Sequence, residues 1–197
     1  MWRITNASPM RGRHHDAVFR GQVTSYHRLV EWGFPEEEQM DVEQIAQMLI
    51  SQEKTVSVAE ADTCGLVGYM LSTVPGSSKY FPGGVIAYTG GLKQKILGVS
   101  DELYNTKGSV SSEMAIAMAA GVRELTATDY AVSVTGVAGP TGGRSGLPIG
   151  TFYVGLVGPG NLEVAERIHT DAGDRDGNKR QAAQAVLELL GRRLAGA

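Results

Sequence analysis

Cysteine is nearly absent from this chain, since Cys64 is the single cysteine among 197 residues. One cysteine excludes an internal disulfide and a zinc site built from cysteine ligands. The chain also lacks an apolar run long enough to span a bilayer, and no signal-peptide pattern opens it. These absences predict a soluble, cytoplasmic protein without a membrane partner.

An excess of basic charge is also missing. The chain has 18 Lys and Arg residues against 21 Asp and Glu, so its formal net charge is −3. Because a nucleic-acid-binding protein usually carries a basic footprint, we predict no nucleic-acid partner. The composition is otherwise ordinary for a globular protein, with 42% hydrophobic and 20% charged residues. The length favours one domain with a continuous core.

The first 40 residues differ from the rest of the chain. They are rich in arginine and contain only two acids, Asp16 and Glu31, before the run that begins at Glu36; the arginines are Arg3, Arg11, Arg13, Arg20 and Arg28. Their aromatic residues follow no clean period. We therefore predict an N-terminal arm over 1–40, packed on its own domain or on a partner subunit, and a domain over 41–197.

Helical and strand patterns alternate from Asp41 onward. Apolar spacing predicts helices over 41–53, 63–73, 111–125 and about 174–194, with Met114, Met118, Val122 and Leu125 facing inward on the third. Short β-rich runs predict strands over 55–60, 83–89 and 129–139, and a hairpin over 149–157 and 162–168. This order predicts an α/β fold, a three-layer α/β/α single domain with a mixed central sheet.

Four glycine-containing turns follow predicted strands or open a helix, at 59–65, 88–93, 135–143 and 173–181. Ligand sites in α/β sheets gather at strand ends, where such turns let the backbone approach a ligand. The turns offer hydroxyls, a tyrosine, a lysine, an arginine-rich helix start and many backbone N–H groups suited to an anion. The turn at 135–143 is neither a P-loop nor a GxGxxG motif, so no standard nucleotide fold is implied.

The four turns, in this order, resemble the C-terminal domain family of the competence-damage protein CinA, which includes stand-alone nicotinamide-nucleotide amidohydrolases. The resemblance covers residues 41–194 and takes in the segments 74–89, 108–122 and 148–155. It implies a single α/β domain that hydrolyses the carboxamide of nicotinamide mononucleotide to nicotinic acid mononucleotide and ammonia. It further implies no metal, no cofactor, a small-molecule nucleotide as partner and a homo-oligomer.

The chain departs from this family in the first turn, where the family commonly reads Ala-Glu-Ser-Cys-Thr-Gly-Gly. The same positions here run from Ala59 to Gly65, and Ala61 and Asp62 stand where the family has serine and cysteine. Thr63 is retained. The resemblance therefore implies that Glu60, Ala61 and Gly65 line the substrate site, with Glu60 accepting N–H bonds that orient the turn.

The reaction centre implied by the resemblance contains Tyr88 and Lys93, which match a Tyr–Lys pair of the family. A lysine whose pKa is lowered by burial can deprotonate a hydroxyl that attacks an amide. Because position 61 has no hydroxyl, two substitutes remain open: Thr63 as nucleophile, or Asp62 as a base that activates water. Asp62 is explained equally well as a helix N-cap. Cys64 is either a nucleophile or a small packing residue in the first turn of a helix.

Two further segments match binding elements of the family. Ser133, Thr135, Gly136, Ala138 and Gly139 fit its Ser-x-Thr/Ser-Gly-Ile-Ala-Gly-Pro turn and are implied to contact the amide or an oxyanion.

Gly173, Asp174 and Arg175 match Gly-Asp-Arg, so Arg175 or Arg180 is expected to meet a nucleotide phosphate. The alternative for Arg175 is a surface ion pair with an acid such as Asp171.

The remaining candidates have weaker patterns. His14, His15 and Asp16 are adjacent, but neighbouring histidines seldom face one metal ion, so no metal site is predicted; His169 is interpreted as a surface residue. The functional alternatives are an amidase for another substrate, and a catalytically silent relative that binds a pyridine nucleotide or a protein. A hydroxyl or water within hydrogen-bond reach of Lys93 would favour an enzyme. Thr63 turned into the core, with Lys93 neutralised by Asp62, would favour the silent alternative.

Overall fold

The computed structural model describes residues 41–143 and 145–196. The predicted arm at 1–40, including His14, His15 and His27, lies outside the described residues. Two 3₁₀ turns, Ser77–Lys79 and Pro159–Asn161, accompany the main elements. In chain order these are α1 (Val42–Ser51), β1 (Val56–Glu60), α2 (Leu66–Ser72), β2 (Gly83–Ile86), α3 (Gly90–Leu97), α4 (Asp101–Lys107), α5 (Ser112–Thr126), β3 (Tyr130–Gly136), β4 (Thr151–Gly158), β5 (Leu162–His169) and α6 (Arg175–Leu194).

The strands form one five-stranded sheet in the order β2-β1-β3-β4-β5. Strand β1 pairs in parallel with β2 and with β3, whereas β3–β4 and β4–β5 are antiparallel. The predicted mixed sheet and the predicted hairpin are therefore confirmed. After β1, the chain adds β2 on one side of β1 and later adds β3 on the other side. The carboxyl ends of β1 and β3 therefore flank a topological switch point, which is where α/β sheets bind ligands.

Helices cover both faces of the sheet and complete the three predicted layers. On one face, α2 and α6 bury Val67 and Leu187 against the sheet, and α1 packs on these two helices with Ile45 buried in the same cluster. On the other face, α5 buries Met114 and Met118, with α3 and α4 packed beside it. Each buried aliphatic side chain of this size stabilises the fold by roughly 1.5–3 kcal/mol relative to exposure.

Polar caps explain where the predicted helices begin. Asp41 and Gln44 form a capping box at the start of α1. The Ser111 hydroxyl accepts a hydrogen bond from the Met114 N–H at 3.1 Å, and α5 begins there. The Asp174 carboxylate accepts one from the Gly177 N–H at 2.8 Å at the start of α6. Such caps stabilise a helix by about 1 kcal/mol each.

Helices α3 and α4 are absent from the sequence prediction, which treated 88–93 as a turn. The glycines Gly90 and Gly91 are poor helix formers, and they conceal the start of α3. Tertiary packing overrides this propensity, because a Cβ at Gly90 would lie 2.3 Å from the Tyr104 side chain on α4. The glycine therefore permits the close approach of α3 and α4.

Two other predictions are wrong in detail. Leu125, predicted to face inward on α5, is 59% exposed, although Met114, Met118 and Val122 are fully buried. Helix α2 begins only at Leu66, so Cys64 is not in its first turn; it lies before the helix, exposed and with φ +55°.

Among the described residues, no helix is both long and apolar enough to cross a membrane.

Candidate active site at the carboxyl edge of the sheet

Four hydrogen bonds bring the four predicted turns together beyond the carboxyl ends of β1 and β3. The Gly136 N–H donates to Asp62 Oδ2 at 2.9 Å, joining the first and third turns. Lys93 Nζ donates to Thr135 Oγ1 at 2.8 Å, joining the second and third. The Arg175 guanidinium at the start of α6 donates to the Gly139 carbonyl and, at 2.7 Å, to the Tyr88 hydroxyl. The switch point of the sheet is thus the meeting point of the predicted site segments.

Lys93 is the central charged group of this site. It lies in the first turn of α3 with 1% of its surface exposed. Its Nζ donates to the Ser109 carbonyl at 2.8 Å, to Ser109 Oγ at 3.0 Å and to Thr135 Oγ1 at 2.8 Å. Burial lowers the pKa of Lys93 to about 8, because it penalises the charged form, and the nearby Asp62 carboxylate opposes this shift. A substantial neutral fraction is therefore available near pH 8.

Asp62 lies between two cations at the same edge. Burial raises the pKa of its carboxyl group, whereas the hydrogen bond from Gly136 and the charges of Lys93 and Arg175 act in the opposite direction. The N-cap interpretation of Asp62 is wrong, since Gly65 occupies the N-cap position of α2 with φ +100°, a conformation that glycine adopts without strain. Asp62 instead ties the end of β1 to the end of β3.

Glu60 caps α2 from the last position of β1. Its carboxylate is 1% exposed and accepts the N–H groups of Gly65 at 2.9 Å, Val67 at 3.2 Å and Gly68 at 2.9 Å. The prediction that Glu60 orients the first turn by accepting N–H bonds is confirmed. A buried carboxylate is stabilised here by the positive end of a helix and by three backbone donors.

Thr63 hydrogen-bonds to Glu60 rather than to Lys93. Its side chain is 2% exposed, and its hydroxyl donates to Glu60 Oε2 at 2.6 Å. No hydrogen bond joins Thr63 to Lys93 in the described part of the chain. Position 61 is likewise closed to solvent, since Ala61 is 2% exposed within the apolar cluster beneath α5. The structure therefore does not bring the predicted substitute hydroxyl to the base.

The turn after β3 serves mainly to hold the site together. Ser133 is buried and donates to the Ala115 carbonyl on α5 at 2.5 Å, so its hydroxyl does not face the site. The Gly136 N–H is already occupied by Asp62. The Ala138 carbonyl accepts a bond from the Asn178 side chain at 3.2 Å, and Gly139 accepts from Arg175. Of the five predicted residues, only Thr135 brings a side-chain polar atom to Lys93.

The two candidate arginines near the start of α6 have different surroundings. Arg175 is half-buried and contacts neutral partners, the Tyr88 hydroxyl and a backbone carbonyl, rather than Asp171 as in the ion-pair alternative. Arg180 is exposed and forms an ion pair with Asp176 one turn away, with Nε and Oδ2 at 2.8 Å. Arg175 is therefore the better placed of the two for an anion at the site.

Ser109 is the site residue that sequence reasoning missed. It lies in the four-residue connection between α4 and α5, partly exposed, with its hydroxyl 3.0 Å from Lys93 Nζ. The signal was available, because 108–122 was one of the segments that carried the family resemblance. Without the fold, nothing indicated that Ser109 is the serine of this segment that meets Lys93.

Three other features of the described residues do not contribute to this site. Residues 41–143 and 145–196 contain no group of three His, Cys, Asp or Glu side chains arranged for a metal ion. His169 ends β5 and is exposed, as predicted. A surface depression lined by Arg123, Thr128 and Glu163 lies at the opposite edge of the sheet, away from Lys93.

The fold and the site define an α/β/α protein with a polar site around a buried lysine at the carboxyl edge of a mixed sheet. The sequence model of the CinA C-terminal domain matches residues 38–194. CinA-like proteins of Cyanothece sp. and Solibacter usitatus are 41% and 44% identical, covering 76% and 72% of this chain but 36% and 34% of those relatives. The chain belongs to the CinA C-terminal domain family, and it spans little more than a third of the length of these two relatives.

Solved structures agree with this assignment. A CinA superfamily protein from Klebsiella pneumoniae has a TM-score of 0.76 and 26% identity, over 79% of this chain and 96% of that chain. The competence/damage inducible protein CihA from Agrobacterium tumefaciens has a TM-score of 0.72 and 30% identity, over 82% and 98%.

Proposed function

We propose that this protein is an amidohydrolase that converts the carboxamide of nicotinamide mononucleotide, or of a closely related pyridine nucleotide, to the carboxylate with release of ammonia. The observation that supports it most is the environment of Lys93: a buried amine with a pKa of about 8, in contact with two hydroxyl groups at the switch point of the sheet. A general base with a pKa near the working pH is what amide hydrolysis through a hydroxyl or a water molecule needs.

A nucleotide substrate also needs a cation for its phosphate, and Arg175 supports this part of the proposal. Its guanidinium is half-buried and holds the Tyr88 hydroxyl and the Gly139 carbonyl. Both hydrogen-bond partners are neutral, so no carboxylate occupies these donors directly and a phosphate could replace either partner. Arginine binds phosphate through two parallel N–H donors, which fixes the orientation as well as the position of the ligand.

Tyr88 supports recognition of an aromatic base. Its side chain is 49% exposed beside Arg175, so one part of the ring is accessible to a ligand. Stacking of an aromatic ring on a nucleobase contributes about 1–3 kcal/mol in other nucleotide-binding proteins.

Asp62 and Thr63 take different places in this proposal. Asp62 is at the site with a raised pKa, and it remains a base that can hold an attacking water molecule. Thr63 donates its hydroxyl to Glu60, and we assign it to the support of the first turn.

The rival function is binding of a pyridine nucleotide without turnover. The burial of Thr63 and the absence of a hydroxyl at Ala61 favour it. The contact of Lys93 with Ser109 Oγ and Thr135 Oγ1 favours an enzyme, because a hydroxyl within reach of the base is present after all.

Ammonia release from nicotinamide mononucleotide by the purified full chain tests the two functions against each other. We expect turnover in the native protein and a loss of roughly 10³-fold or more in Lys93→Met, because the base is removed. Lys95→Met is the matched control, since Lys95 lies on the same helix but is exposed, and it should keep the native rate. Tight nucleotide binding by calorimetry without any ammonia release would establish the rival.

A further inference from the structure

We propose that Ser109 is the nucleophile of this site and replaces the serine that the chain lacks at Ala61. The inference rests on the proposed function in that it assigns a covalent route to the same amide hydrolysis. Its basis is geometric: Ser109 Oγ lies 3.0 Å from Lys93 Nζ, in a segment that is partly open to solvent.

Three serine and threonine hydroxyl groups close to the site are candidates for this role, and they differ in accessibility. Thr135 is fully buried and Thr63 is 2% exposed, so neither oxygen is open to a substrate carbonyl carbon. Ser109 is partly exposed, and its hydroxyl contacts Lys93. An attacking oxygen must contact both the base and the substrate, and of the three only Ser109 meets both conditions.

The direction of the hydrogen bonds also favours Ser109 as the nucleophile. The Thr135 hydroxyl donates its proton to the Ser109 carbonyl at 2.8 Å, and its oxygen accepts from Lys93. The Thr63 proton is donated to Glu60. The Ser109 hydroxyl has Lys93 as its only hydrogen-bond partner among the described residues, so it is the hydroxyl whose proton a neutral lysine can accept.

The chain holds Ser109 in place from both sides. Gly108 closes α4, with φ +77° and its N–H bonded to the Tyr104 carbonyl at 3.1 Å. Two residues after Ser109, Ser111 caps α5. The Ser109 carbonyl itself accepts from Lys93 and Thr135. A short connection fixed at both ends and in its middle is the preorganised arrangement that a nucleophile requires.

The reaction then proceeds in two balanced steps. Neutral Lys93 removes the Ser109 hydroxyl proton while Oγ bonds to the carboxamide carbon; the resulting tetrahedral intermediate breaks its C–N bond, and the proton on Lys93 leaves with ammonia. The acyl ester on Ser109 is next attacked by water, whose proton passes to Lys93. Breaking the ester C–O bond releases the carboxylic acid, and Lys93 returns its proton to Ser109 Oγ. Water is the only co-reactant that this sequence consumes.

Two readouts test the assignment. The first is ammonia release from nicotinamide mononucleotide by the native chain, Ser109→Ala and the control Ser112→Ala; the Ser112 hydroxyl contacts Glu113 and not Lys93. The second needs no substrate: the native chain is treated with phenylmethanesulfonyl fluoride, whose sulfur is attacked by a reactive serine with loss of fluoride, and the modified residue is located by peptide mass spectrometry. Ser109→Ala is checked for native circular dichroism, and the labelling of the native chain keeps the test valid if this variant does not fold.

We expect Ser109→Ala to lose roughly 10³-fold or more of the activity, as is typical when a nucleophile is removed, with Ser112→Ala close to native. Labelling should occur at Ser109, increase with pH through about 8 and disappear in Lys93→Met, which a merely structural serine would not show. Ammonia release that survives in folded Ser109→Ala would overturn the assignment and leave the proposed function intact. Lysine-dependent labelling of Ser109 without turnover of the nucleotide would support the nucleophile and overturn the proposed substrate. Absence of both would overturn both.

Discussion

Asp62 and Lys93 approach the same point from different crossovers of the sheet, and each changes the pKa of the other. The Asp62 carboxylate raises the pKa of Lys93, and the Lys93 ammonium lowers that of Asp62. In both groups, burial is the larger effect and acts in the opposite direction. In the described residues the two side chains form no direct ion pair, so the coupling acts through space. The protonation of the base is therefore set by both burial and a neighbouring charge.

The pH dependence of the reaction follows from Lys93. The neutral amine is the active form, and burial lowers its pKa from 10.5 to about 8. We expect kcat/KM for nicotinamide mononucleotide to increase with pH and to reach half of its maximum near pH 8, because the neutral fraction increases over that range. Initial rates between pH 6 and 10 measure it. A rate that is flat from pH 6.5 to 9 would contradict the role of Lys93 as base.

Replacing Asp62 tests the coupling directly. Asp62→Asn keeps an oxygen that can accept the Gly136 N–H but removes the negative charge. Because that charge raises the pKa of Lys93, its removal lowers this pKa, and we expect the half-maximum of the pH profile to move below the native value. Asp171→Asn, at an exposed position, is the charge-matched control and should leave the profile unchanged. A profile that moves to higher pH in Asp62→Asn would show that the coupling is not electrostatic.

The fold could be predicted from the sequence wherever hydrophobic periodicity and caps agree. The helix at 111–125 has a Ser111 cap and a methionine stripe, and the structure confirms both. The same reasoning failed at α3, because Gly90 has poor helix propensity. The glycine allows the close approach of Tyr104, a residue fourteen positions away, and no local pattern reveals this contact.

The site could be predicted as a set of segments but not as a set of contacts. Lys93, Asp62 and Arg175 meet at the carboxyl edge because their turns follow strands or open a helix there, which the sequence order already indicated. Ser109 was missed because its role depends on the packing of the α4–α5 connection against Lys93. Thr63 was misplaced because the choice between Glu60 and Lys93 as its partner depends on side-chain direction at the end of β1, which residue type alone does not determine.

Glu60 should matter for stability more than for any chemical step. Its carboxylate accepts three N–H groups at the start of α2, from the N-cap Gly65 and from two residues of the helix, and it also accepts the Thr63 hydroxyl. Glu60→Gln replaces one acceptor oxygen by an NH2 group that faces these donors. We expect the free energy of unfolding to fall by about 1.5–3 kcal/mol, the range for hydrogen bonds to a charged group. Urea denaturation followed by circular dichroism measures it, with the exposed Glu163→Gln as control. Equal urea midpoints of unfolding in the two variants would show that the Glu60 carboxylate does not stabilise the start of α2.

Arg175 should act on substrate binding through the phosphate. Arg175→Ala removes donors that now hold Tyr88 and Gly139 and that the proposal assigns to a phosphate. We expect KM for nicotinamide mononucleotide to increase by about 10- to 100-fold, since a charge-assisted hydrogen bond contributes roughly 1.5–3 kcal/mol. Nicotinamide riboside, which lacks the phosphate, should be a poor substrate for the native protein. Its kcat/KM should fall only a little further in Arg175→Ala. The exposed Arg167→Ala controls for the loss of one positive charge. If Arg175→Ala lowers kcat/KM by the same factor for the nucleotide and the nucleoside, the arginine does not bind the phosphate. It then stabilises Tyr88 and the turn after β3.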